Sequence, residues 1–124
     1  MSDAQLIELD AEHFDDVMTQ TDFLIVDFGT RWCGPCRVFK AVFEEAAGKH
    51  RDVTFAVVDV EDSPDLGGAF DIDAVPTIAV MVGGVRVFSH EGALTTEALQ
   101  DVISQVRALD IDAIRRAASP PAVE

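Results

Sequence analysis

The chain has 124 residues, 48% of them hydrophobic and 26% charged. That suffices for one domain with a hydrophobic core and excludes a disordered or fibrous protein. The 23 Asp and Glu against 9 Lys and Arg give a formal net charge of -14, which repels phosphate backbones and anionic lipid and so argues against nucleic acid and membrane surfaces as partners.

The N-terminal stretch MSDAQLIELDAEHFDD lacks the basic segment and long apolar core of a secretory signal. No apolar run approaches the roughly 18 residues that a membrane span needs. The expectation is a cytoplasmic protein. Residues 5–9 alternate like a short strand, and 10–20 follow as a helix with Asp10 as its cap. FLIVDF at 23–28 is nearly continuous in apolar character, as in a strand buried on both faces, and Asp27 is out of place within it.

After the segment that holds Cys33 and Cys36, the chain's two cysteines, apolar residues recur at intervals of three and four from Val38 to Ala47. This predicts an amphipathic helix over 34–49. A second buried strand is expected at 53–60, a short helix at 63–70 opened by Ser63 and Pro64, and strands at 77–82 and 85–90 around the hairpin glycines Gly83 and Gly84. Leu99, Val102, Ile103 and Val106 mark a helix over 95–108. Helical crossovers imply parallel pairing early, and the hairpin adds an antiparallel edge, giving a mixed α/β sheet with helices on both faces. Beyond 108, acids followed by Arg115 and Arg116 suit a short helix, and SPPAVE at the end reads as a frayed tail.

A closely spaced cysteine pair in a reducing compartment points to redox or metal chemistry more than to a structural disulfide. Cys33 lies on the turn that opens a helix, where backbone N–H groups and the helix dipole favour a thiolate, the attacking species in disulfide exchange. Gly34 permits close approach, and Pro35 is tolerated in a first turn. Cys36, one turn on, faces the same side and can resolve a mixed disulfide. A pair of small buried residues is the plain alternative. Zinc would need further ligands, and His13, His50 and His90 neither pair nor lie near the motif in sequence, so no metal is expected.

WCGPC preceded by VDF, followed by VPT some forty residues later and GAL after the hairpin, resembles the thioredoxin family over about residues 5–108. The resemblance implies the thioredoxin fold, with a central mixed five-stranded sheet flanked by four helices. It also implies a domain at 1–108 and an extension at 109–124 that forms a short helix or tail. It implies a thiol–disulfide oxidoreductase that reduces protein disulfides, with Cys33 as nucleophile, Cys36 as resolving thiol and Asp27 as a buried acid that exchanges a proton with Cys36. Trp32 would shield the pair. Val75 and Pro76 would form a cis-proline loop whose backbone receives substrate, and Gly92 would add bare backbone beside it, with Gly34 and Pro35 on the same surface. No bound cofactor is implied: electrons come through the Cys33–Cys36 disulfide, and NADPH enters only through a reductase. Implied partners are disulfide-containing proteins and a thioredoxin reductase or another donor, with the chain a monomer.

The chain departs from the family's pattern at four positions. Gly29 stands where an aromatic is usual, thinning one wall of the site. Ala41 replaces a helix-bending proline, so a straighter helix is expected. Val57 stands where a lysine often accompanies the buried acid, and its loss should raise the Asp27 pKa further. Glu91 charges a surface that is typically apolar, which selects against acidic substrates and the usual reductase docking. Such departures suggest an alternative, a binding or chaperone-like module with little turnover, although the intact CGPC speaks against it.

Overall fold

A computed structural model describes residues 6–118. Its elements are β1 (Leu6–Glu8), α1 (Ala11–Gln20), β2 (Phe23–Gly29), α2 (Gly34–Lys49), β3 (Thr54–Asp59), α3 (Pro64–Ala69), β4 (Thr77–Val82), β5 (Val85–Glu91), α4 (Thr96–Arg107) and α5 (Ile111–Ala118). The strands form one sheet in the order β1-β3-β2-β4-β5. β1, β3 and β2 run parallel, and β4 is antiparallel to both of its neighbours, β2 and β5. The mixed five-stranded sheet and the helices expected from the sequence are all present, while the SPPAVE segment lies outside the described residues.

The apolar run of β2 is explained by its place at the centre of the sheet. Its side chains alternate between two cores, one on each face. Leu24, Val26 and Phe28 join Phe14 of α1 and Leu66 of α3. Phe23 and Ile25 join Phe39 and Phe43 of α2 and Leu99 and Ile103 of α4. The same period of two sends Asp27 to the α2 face. Val57 of β3 packs on that face too and is the residue directly opposite Asp27 in the parallel register.

Local chemistry fixes the element ends. Asp10 caps α1 by accepting the His13 N–H at 3.0 Å, and Thr95 caps α4 by accepting the Ala98 N–H at 3.1 Å. Ser63 stands at the α3 cap without a side-chain cap bond. The β4–β5 turn holds Gly83 and Gly84 at φ of 59° and 83°, the positive values that a two-residue hairpin turn demands. Ile111 and Ile114 of α5 pack against the α2-side core, and Arg115 pairs with Asp22 just before β2. Among the described residues no helix is long and apolar enough to cross a membrane.

Candidate active site

Strand β2 ends at Gly29, whose carbonyl accepts the Val60 N–H at 3.0 Å, and the chain then turns through Thr30 to Cys33 before α2 begins. Arg31 pins this turn to the segment after β3, donating to both carboxylate oxygens of Asp62 at 2.9 and 3.0 Å and lying 3.8 Å from Asp59. Cys33 is the N-cap of α2, and its sulfur accepts the Cys36 N–H at 3.0 Å. The two cysteines are joined in a disulfide. Cys36 is buried and Cys33 half-buried, so one sulfur of the bond faces the surface and the other the interior.

Three further segments close around the pair. The Val75–Pro76 peptide is cis, as the resemblance implied. The Val75 carbonyl oxygen lies 3.7 Å from Cys33 Sγ. The Pro76 carbonyl accepts the Gly92 N–H at 2.7 Å, and Gly92 has a φ of +101°, a conformation open chiefly to glycine. That bond holds the Val75 loop and Gly92 together on one side of the disulfide. Trp32 is 77% exposed, so it stands in solvent on the turn and is no core aromatic. Gly34, Pro35 and Glu91 are exposed beside it in the chain or across the sheet end.

On the interior side lies Asp27, 5% exposed, with its Oδ1 buried and unpartnered. Burial raises its pKa from the ordinary 3.8 to about 7, and the charge of Lys40 opposes the rise. The sequence offered no reason to single out Lys40, an exposed lysine on α2. Its position decides its effect: four residues beyond Cys36, it shares that residue's helix face and lines the same cavity as Asp27, Cys36 and Val57. The cation missing at Val57 is thus supplied from the neighbouring helix. Lys40→Gln is expected to move the Asp27 ionisation upward by roughly half a unit, read as the carboxyl carbon shift in an NMR titration; an unmoved midpoint would show that solvent fully screens the lysine.

His13 and His50 lie away from the site, while the His90 ring borders it, its Nε2 4.0 Å from where a Cβ on Gly92 would stand. His13 pairs with Asp10, His50 contacts Arg107, and His90 stacks on Phe88.

The thioredoxin family model matches residues 5–105. The chain belongs to the thioredoxin family. A Streptomyces coelicolor relative carrying the name thioredoxin 2 is 44% identical over 111 residues, covering 90% of this chain and 83% of the relative. The bifunctional thioredoxin reductase/thioredoxin of Mycobacterium leprae is 36% identical over 98 residues, 78% of this chain and 21% of that protein. Among solved structures, a mutant thioredoxin from Halobacterium salinarum superposes with a TM-score of 0.80 at 29% identity, covering 89% of this chain and 97% of the other. With family membership and the cysteine pair joined at a helix start, the protein is a thiol–disulfide oxidoreductase, a protein-disulfide reductase of the thioredoxin family that needs no bound cofactor beyond its own disulfide. The binding-module alternative is not favoured.

Proposed function

We propose that the reduced chain attacks substrate disulfides through Cys33 and that Cys36 resolves the product. The observation that carries this reading is the asymmetry of the pair: the sulfur of Cys33 faces outward and is held by a backbone N–H at 3.0 Å, which favours its thiolate. In the first step Cys33 thiolate bonds to one substrate sulfur and expels the other as thiolate. In the second, Cys36 thiolate attacks Cys33 Sγ, releases the remaining substrate thiolate and leaves the disulfide seen here. Asp27 exchanges the Cys36 proton, a role that suits a carboxyl with a pKa of about 7.

Trp32, Gly34, Pro35, Val75, Pro76 and Gly92 form the surface that receives the substrate, with the Val75 backbone pairing to an extended peptide. Residues 1–108 carry this chemistry and 109–124 are an extension, a division supported by the family match ending at residue 105. The electron donor is a thioredoxin reductase drawing on NADPH, and the name of the Mycobacterium leprae fusion, which joins both activities in one chain, supports that pairing. The protein works as a cytoplasmic monomer on disulfide-containing proteins, away from nucleic acid and membranes.

Insulin reduction tests the reading, driven first by dithiothreitol and then by thioredoxin reductase with NADPH. Turnover in both is expected. Turnover with dithiothreitol alone would replace the reductase by a dedicated donor, and none in either would end the proposal.

A further inference from the structure

Cys36 is buried, and a Cβ at Gly29 would already lie 3.1 Å from its sulfur, so a partner reaches the pair at Cys33. Such a partner lies along the Val75 loop, and the charges that frame this loop are the first it meets. Asp73, two residues before Val75, is exposed. At the loop's other end Thr77 stands directly opposite Glu91 in the β4–β5 register, and the Pro76 carbonyl holds the Gly92 N–H at 2.7 Å. Glu91 is exposed as well. The segment that receives substrate therefore has a carboxylate at each end.

Neither carboxylate is neutralised from within the chain. Among the described residues, the side chains of Asp73 and Glu91 have no hydrogen bond or ion pair. Arg86 is the one Lys or Arg between positions 52 and 106, and its guanidinium is engaged by the Phe70 carbonyl and ring. Arg31, beside Trp32, is bound to Asp62 and Asp59. Arg37 and Lys40 line the cavity on the interior side of the disulfide. His90 borders Gly92, but it alternates to the opposite face of β5 from Glu91 and stacks on Phe88. Both anions at the loop are thus left for whatever docks there.

A charge that meets its opposite as a chain docks raises the association rate, and one that meets a like charge lowers it. In an extended strand, alternate residues share a face. A substrate strand paired with Val75, its cysteine against Cys33, brings the residues two positions before and after that cysteine abreast of Asp73 and Thr77. Glu91 lies beside the latter. Resting on the reading that Cys33 attacks disulfides next to the Val75 backbone, we propose that the preferred substrates carry Lys or Arg on both sides of the attacked cysteine, selected by Asp73 and Glu91. Glu91 alone would act at one end of the loop; the two together read both flanks of the cysteine.

Three homodimeric disulfide peptides test this, alike except for Lys, Gln or Glu two positions before and after the cysteine. The rate at which the reduced protein cleaves each probe is divided by the rate at which dithiothreitol cleaves the same probe, which removes the effect of the flanking charges on the sulfur itself. At low salt the Lys probe is expected to react at least about fivefold faster than the Glu probe, with Gln between them and the ratio falling as salt is added. Asp73→Asn combined with Glu91→Gln is expected to bring the ratio below about twofold. Glu44→Gln combined with Asp101→Asn removes the same two charges from the formal -14 at exposed positions of α2 and α4, and is expected to keep the preference. Equal normalised rates for the three probes overturn the proposal. So does a preference that survives Asp73→Asn/Glu91→Gln, which would assign it to the charge of the whole molecule. Either result leaves the attack by Cys33 standing, whereas a reduced protein that cleaves no probe overturns that reading and this one with it.

Discussion

Replacing Cys36 with serine is expected to convert the protein from a catalyst into a trap, accumulating a covalent mixed disulfide with its substrates. Cys33→Ser is expected to abolish both turnover and capture. The physical reason is the division of labour across one helical turn. In the proposed order an N-cap thiolate attacks, and the second sulfur at 36 completes the exchange intramolecularly at high effective concentration. A serine hydroxyl at either position is far too weak a nucleophile near neutral pH, so each variant should fall by at least about a thousandfold in insulin reduction. Denaturing gels without reductant distinguish the two: a reductant-sensitive adduct with Cys36→Ser and none with Cys33→Ser. Adducts formed by Cys33→Ser instead would reverse the assigned order of the sulfurs.

The second large effect concerns Asp27. Its carboxyl has a pKa of about 7 in the folded chain against 3.8 as its ordinary value, so between those values the folded state binds a proton that the unfolded state has lost. Stability is then fully present below about pH 4 and falls as pH rises through 7. The difference of about 3 units corresponds to about 4 kcal/mol. Asp27→Asn removes the titration. The variant's unfolding free energy, relative to wild type, is expected to rise by up to about 4 kcal/mol between pH 4 and pH 8, measured by urea melts of the oxidised proteins. A flat difference would mean that the buried carboxyl is solvated through the adjoining cavity. The same substitution should erase a step near pH 7 in the rate of protein reduction; an unchanged profile would end the proton-exchange role while leaving the stability result intact.

How far such features could be read from the sequence depended on whether they were local. Asp27 was legible because a charge inside a β2 apolar run contradicts its surroundings, and the alternation of Phe23, Ile25 and Asp27 fixes the face it occupies. The place of Cys33 on the turn that opens a helix was legible for the same reason, since Gly-Pro at a helix start has a local meaning, while the cap bond from its sulfur to the Cys36 N–H needed the structure. Lys40 was not. An exposed lysine on an amphipathic helix is ordinary, and only the packing of α2 over β2 and β3 turns it toward the acid. The consequence drawn from Val57 was therefore incomplete: the acid's pKa is raised, but against a cation donated by another element. The Arg31 link to Asp59 and Asp62 joins segments about thirty residues apart, and no local pattern announces it. Gly29 was noticed as a thinner wall, yet the crowding of Cys36 by any larger side chain is a three-dimensional fact. The docking of Ile111 and Ile114 onto the core likewise needed the fold, because eight residues of helix carry too little information to say which surface they meet.

The central position of β2 has a consequence for how the molecule breathes. Its amides and those of β4 are bonded within the sheet with helices over both faces, so their hydrogens are expected to exchange with deuterium only when the whole chain opens, whereas the edge strands β1 and β5 can fray alone. The turn that carries Cys33 grows directly from β2. Its anchorage is therefore expected to be the slowest-exchanging part of the protein, whereas Gly92 follows edge strand β5, so opening at that margin reaches the Val75 side of the disulfide first.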